Sequence, residues 1–326
     1  MSSARVPDNV EVPEPTVEEV SDGVFGYVQL DGSWGLNNTG FVVGKDAVVA
    51  VDTCFTERRS RAFASAIEDV VRPATKTGRQ GSGRAGPLVR TLVNTHHHGD
   101  HTHGNIVFAP GATIIGHERC REEVIATGVG TKVMFPDVEW GEIVVTPPNV
   151  TFSDRMSLWV DDLELQLIHV GPAHTTNDVI VWLPERKTAF TGDVIFNGGT
   201  PFALFGSIAG WLEALEVLRG LGVERMVPGH GPVCGPEVID DVGEYLLFVQ
   251  EAARKGYEAD ASPLEVAQDT DLGKFGDLLD AERLAGNLHR AFSELRGEER
   301  GAVINTQAAF GDMVAFNGGQ MPRCLA

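Results

Sequence analysis

The stretch THHHGDHTHGN, residues 95–105, holds five of the chain's ten histidines and one aspartate. Imidazole and carboxylate are together the donors that zinc, iron or manganese takes. In an extended segment, residues two apart face the same way, so His96 and His98 can reach one ion together. A turn into a helix at about Asp100 would bring Asp100 and His101 beside them, toward a second position. His97 and His103 fall out of phase and are expected to be supporting or surface groups.

Three further donors complete the set. GPAHTTND puts His174 in a loop after a strand, TGDVIF puts Asp193 after a strand, and PGHGP puts His230 in a turn bounded by Gly and Pro. Five histidines and two carboxylates can fill two adjacent metal positions, with Asp193 bridging. An adventitious histidine tract would not account for partners this far downstream. Asp52 closes a strand that points to the same edge; it either orients a ligand or caps a turn. His117 and His169 are expected to be structural, a helix start and a strand-end packing residue.

Short strand-like runs position these groups: VFGYVQL, TGFVVG, DAVVAVDT, LVRTLVNT and ATIIGHE, then MSLWV, LELQLIHV, NDVIVWLP, KTAFTGDVIF and ERMVPGHGPV. Helical periodicity marks 57–71, ERCREEVIA and 207–221. The two halves suit an α/β fold, two sheets face to face with helices outside. Residues 1–17 read as an extended arm, 18–235 as the catalytic domain, and 236–326 as a mainly helical appendage that supplies no ligand and either covers the main domain or forms a homo-oligomer contact. The Gly-rich basic stretch 72–86 reads as a loop.

The motifs HHHGDH, GPAHT, TGD and PGHGP, in this order, resemble those of the metallo-β-lactamase superfamily, over roughly residues 20–235. The resemblance implies an αββα four-layer sandwich with two metals, expected to be zinc (iron or manganese fit too), at one edge. It gives His96, His98 and His174 to the first metal and Asp100, His101 and His230 to the second, with Asp193 shared. Two zinc ions would bring a bridging water to a nucleophilic state near neutral pH, with Asp100 placed to shuttle its proton.

The superfamily hosts many reactions, and departures narrow them. β-Lactamases usually carry cysteine or serine around the position of Asp193, and flavodiiron oxygen reductases typically carry glutamate where His98 stands. Lys and Arg number 26 against 46 Asp and Glu, a net charge of −20, which repels phosphate backbones and argues against a nuclease. The expectation is a hydrolase of a carboxylic ester, lactone or thioester, the resemblance extending to thioesterases and cyclases of polyketide-type metabolism. An iron-dependent oxidoreductase on the same ligands and a β-lactamase-like amide hydrolase are the alternatives. The apolar, Gly-rich FNGGTPFALFG (196–206) offers Phe196 and Phe202 to an acyl or aromatic substrate, and Trp34 either floors that pocket or is a buried hairpin residue. No run approaches ~20 apolar residues, the N-terminus lacks an apolar signal segment, and Cys54, Cys120, Cys234 and Cys324 are scattered. These point to a cytoplasmic protein with reduced thiols and no membrane partner.

Overall fold

Runs rich in Val, Ile and Phe, separated by Gly- and Asp-containing turns, form the strands, as β-branched and aromatic side chains favour. The computed structural model describes residues 12–72 and 88–326. The first sheet has seven strands in sequence order: β1 (Thr16–Ser21), β2 (Val24–Val28), β3 (Thr39–Val43), β4 (Val48–Val51), β5 (Val89–Val93), β6 (Thr113–His117) and β7 (Val150–Phe152). Pairing is antiparallel from β1 to β4 and parallel from β4 to β7. The second sheet contains β8 (Arg155–Val160), β9 (Leu163–His169), β10 (Val179–Leu183), β11 (Thr188–Phe196) and β12 (Arg225–His230), antiparallel except where β11 meets β12.

The sheets pack face to face. Val42, Val49, Val51 and Val93 of the first meet Leu165, Leu167, Val179 and Val181 of the second. β11 is buried at every residue, as befits a strand covered on both faces. The edge strand β8 instead alternates more and less exposed positions.

Helices form the outer layers. α1 (Glu57–Val71) starts where the Thr56 hydroxyl accepts from the Arg59 amide, and Phe63 and Ile67 face the first sheet. The short α2 (Gly99–Thr102) and α3 (Asn105–Phe108) follow β5, and α4 (Glu118–Thr127) follows β6. On the second sheet, α5 (Ile208–Gly220) lays Trp211, Leu215 and Leu218 onto the strands. It is followed by α6 (Glu237–Glu258), α7 (Pro263–Asp269), α8 (Arg283–Leu295) and α9 (Thr306–Phe316). The result is the expected αββα sandwich. No helix among the described residues is long and apolar enough to cross a membrane.

Several expectations shift in detail. β1 already begins at Thr16, inside the stretch read as an arm, and residues 1–11 lie outside the described residues. The basic stretch 72–86 also lies outside them, except Arg72, which closes α1. The C-terminal helices are more than an added layer. Tyr245, Leu288, Phe292 and Met313 share one continuous core with Trp211, Ile180 and Ala189.

Candidate metal centre

The segments that carry the candidate donors leave neighbouring strand ends. His96 and His98 stand in the turn after β5, and α2 begins at once, carrying Asp100 and His101. His174 sits in the loop between β9 and β10. Asp193 lies inside β11, not beyond its end as the sequence suggested, because apolar residues on both sides extend the strand to Phe196. His230 is the last residue of β12. Gly229 lets β12 approach β11 here, since a Cβ at that position would collide with Asp193 Oδ1.

These side chains converge as two groups, His96–His98–His174–Asp193 and Asp100–His101–His230, with the donor atoms of each within 4.8 Å of one another. In the first, His98 Nδ1 is 2.8 Å from His174 Nε2, and Asp193 Oδ2 is 3.2 Å from His174 Nε2 and 3.8 Å from His96 Nε2. In the second, Asp100 Oδ2 is 3.3 Å from His230 Nε2 and 3.9 Å from His101 Nε2. Asp193 also reaches the second group, with Oδ1 3.1 Å from His101 Nε2 and Oδ2 3.5 Å from His230 Nε2. Ligands held about 2.0–2.1 Å from a tetrahedral ion stand about 3.3 Å from each other, so this spacing fits.

Orphaned polar atoms support the fit. His96 Nε2, His101 Nε2 and Asp193 Oδ1 are buried without a hydrogen-bond partner, a costly state unless something else meets them. Four of the five outward nitrogens are held, the exception being His98, which turns Nδ1 inward and whose Nε2 is buried without a partner. His101 Nδ1 donates to Asp52 Oδ2 at 2.9 Å and His230 Nδ1 to the Gly32 carbonyl at 3.0 Å. His174 Nδ1 donates to the Phe202 carbonyl. The Thr95 hydroxyl gives its proton to Asp52 and so accepts from His96 Nδ1, at 3.1 Å. In His96, His101, His174 and His230 a proton fixed on Nδ1 leaves the Nε2 lone pair aimed inward, the arrangement a metal ligand needs.

Charge divides the groups. Burial, with the charges of neighbouring imidazoles, holds His96 and His98 well below the usual histidine value, and burial takes His174 down to about 4 against the pull of Asp193. For His101 and His230 burial acts the same way, but Asp193 and the other nearby carboxylates outweigh it. His101 is held well above its ordinary value and His230 is raised to about 9. Burial would raise Asp100 and Asp193, yet the facing histidines keep both below the usual carboxylate range. Without metal, the second group therefore places imidazolium charge where a cation would sit.

The remaining histidines are not donors to either group. His97 is buried, with Nδ1 3.1 Å from Asn177 Nδ2 and Nε2 3.4 Å from Glu123. His103 is buried and stacks on Phe55. His117 caps α4 and stacks on His169 at 3.8 Å, the structural roles expected. Asp52 holds the His101 ring through Nδ1 and also accepts from Thr95.

The aromatic candidates separate. Phe196 and Phe202 are each 3% exposed. Phe196 lies parallel to the His230 ring and edge-on to His174, and Phe202 packs against Trp34. These two rings lie behind the histidines and expose little surface of their own. Trp34 is half-buried, with Nε1 donating to Glu282 and Arg283 over its face at 4.1 Å. Phe205, also half-buried and 5.4 Å from the His98 ring, was missed; its place in the apolar loop after β11 was the available signal. Thr95 was missed as well, although it directly precedes the histidine cluster.

Comparison with known proteins agrees with this geometry. The α subunit of 2,4-dinitroanisole O-demethylase from Nocardioides sp. (strain JS1661) is 29% identical over 217 residues, 65% of this chain and 54% of that one. Hydroxyacylglutathione hydrolase from Rhodospirillum rubrum is 29% identical over 182 residues, 54% of this chain and 60% of that one. The chain thus spans little more than half the length of these two relatives. A metallo-beta-lactamase from Pontibacter korlensis shares the fold, with a TM-score of 0.57 at 18% identity over 72% of this chain and 99% of that one. The family model of the metallo-beta-lactamase superfamily matches residues 32–230, the span that holds every donor named above, and the chain belongs to that superfamily.

Proposed function

We propose that the chain is a metal-dependent hydrolase that cleaves a carboxylic ester, lactone or thioester. The observation that carries this reading is the two groups of imidazole and carboxylate donors meeting at Asp193. Two divalent ions held there, zinc by the preference of such a donor set, would supply an activated water and an electrophile for a carbonyl oxygen. The chain's own part is to fix geometry and move a proton. Asp100 turns Oδ2 toward His230 and His101, and its second oxygen is then free to take a proton from the attacking water. Phe205 gives an apolar, half-buried surface beside His98, suited to an acyl or aromatic group. The match to hydroxyacylglutathione hydrolase supports a thioester.

A second reading, cleavage of an electron-poor aryl ether, is favoured by the longer match to the O-demethylase subunit. Metal analysis combined with turnover of a thioester, a lactone, a penicillin and a nitroaryl methyl ether tests both. The expected result is two ions per chain, loss of one in His174→Ala, and a kcat/KM on the best ester or thioester at least about a hundredfold above the penicillin, roughly 2.7 kcal/mol. Preference for the ether selects the second reading. Comparable efficiency on the penicillin, or two iron ions with redox turnover, overturns the first.

A further inference from the structure

One face of α8 is polar. Arg283, Asn287, Arg290 and Glu294 follow at intervals of four, three and four residues, the spacing of a single helical stripe. On a surface helix such a stripe meets water. Here Arg283 is 2%, Asn287 0% and Arg290 1% exposed. Buried polar groups persist where they are hydrogen-bonded, and their partners are largely the backbone of one segment. Arg283 Nη1 donates to the Thr200 carbonyl at 2.9 Å, and Arg290 Nη2 to the Leu204 carbonyl at 2.8 Å. Glu294 accepts from the amides of Ile208 and Ala209 at the start of α5.

Asn287 occupies the middle of this grip. Its Oδ1 accepts from the Ala203 amide at 2.7 Å and its Nδ2 donates to the Pro201 carbonyl at 2.8 Å. The Ala203 N–H and the Phe202 C=O belong to the same peptide unit, which is planar. Fixing the N–H therefore fixes the direction of the carbonyl, and that carbonyl accepts from His174 Nδ1. A continuous line runs from Asn287 through one peptide to His174, whose Nε2 faces His98 and Asp193. Gly286 lets the helix come this close, because a Cβ there would stand 2.9 Å from the Phe202 ring. All of α8 lies beyond the span matched by the family model.

We infer that Asn287 is a positioning residue for the first metal group, setting the orientation of His174 through the 202–203 peptide. The inference rests on the reading of this cluster as a metal centre. Partners one layer behind a ligand typically contribute 10–100-fold in metal affinity, and a hydrogen-bonded chain strengthens each member.

Cobalt(II) titration of the full chain, stripped by chelator, tests it. His174→Ala identifies the binding step and absorption band of the first group. Asn287→Ala is expected to weaken that step about 10–100-fold and to shift its band. The second step should change by less than about threefold. His289→Ala, on the same helix but paired with Asp312, should leave both steps as they are. A folded Asn287→Ala with an unchanged first step overturns the inference, as does equal weakening of both steps. Should that variant not fold, hydrogen exchange on the native sequence decides. By linkage, removing metal must speed exchange at Ala203 and along α8; unchanged exchange there, with faster exchange around His174, overturns the inference. A native chain that binds no cobalt at this group removes the metal-centre reading itself, and the inference with it.

Discussion

Replacing Asp52 by Asn tests the claim that the outer hydrogen bonds make the imidazoles into ligands. Asp52 is 3% exposed and accepts three hydrogen bonds: Thr95 N to Oδ1 at 2.7 Å, Thr95 Oγ1 to Oδ2 at 2.7 Å, and His101 Nδ1 to Oδ2 at 2.9 Å. Its φ of 59° is one that asparagine also tolerates, so Asp52→Asn keeps the backbone. The carboxamide oxygen can still accept from the Thr95 amide. Its NH2 group then faces His101 Nδ1, which can meet it only by giving up its proton. The imidazole tautomer inverts, and Nε2 carries the hydrogen toward the position a metal needs. Loss of an outer partner alone costs about 10–100-fold in metal affinity, or about 1.4–2.7 kcal/mol. Inversion of the tautomer puts Asp52→Asn at the upper end, near a hundredfold, for the group containing His101. The first group feels the change only through the Thr95 hydroxyl and His96, at 3.1 Å, and should weaken about two- to threefold. Competition against a chelator, read as two binding steps, measures both. Equal weakening of the steps, or no weakening in a variant with native circular dichroism, would refute the reasoning.

Asp100→Asn, assayed with both metal positions saturated, should lose about 10²–10⁴ in kcat with a smaller change in KM; recovery of native kcat at full occupancy would make Asp100 a ligand only. The His117–His169 stack predicts a stability change with pH. His117 Nδ1 accepts from the Arg119 amide and Nε2 donates to the Ser153 carbonyl, which requires the neutral ring. Burial lowers His117, and burial with the His117 charge lowers His169 to about 4. Both groups ordinarily titrate near 6.5, so their contribution is complete above about 6.5 and is lost as pH falls toward 4. His117→Asn keeps a helix-capping side chain, and urea unfolding of the chelator-treated protein at pH 7.5 and 5 should show a smaller loss than the native chain, by about 1 kcal/mol. An unchanged loss would count against a neutral pair.

The sandwich was legible because strands and helices here follow local rules. The periodicity over 57–71 coincides with α1, and the runs rich in Val and Ile coincide with β2 to β6. The donors were legible for a related reason: His96, His98, Asp100 and His101 are adjacent in the chain, and extended-then-helical geometry decides their directions locally. What the sequence could not settle depends on strands that meet in space. Asp52 serves His101 because β4 and β5 run parallel with Val51 beside Val93, which brings the residues after each strand together. Asp193 reads as lying past a strand because an acidic residue ordinarily ends one; only the facing imidazoles make its burial in β11 tolerable.

The C-terminal helices show the same limit more sharply. Periodicity identified them as helices, but it cannot tell a polar stripe that meets water from one that meets backbone. Arg283, Asn287, Arg290 and Glu294 have the composition of a solvated face. They are held inward because the segment 200–209 carries carbonyls and amides that no strand satisfies, and a buried loop must find partners for them. The helix therefore follows from the loop's unmet hydrogen bonds, and the loop in turn carries the Phe202 carbonyl that holds His174. A segment that supplies no donor to either group can thus bear on the orientation of a histidine about a hundred residues earlier in the chain, through one peptide of the loop between them.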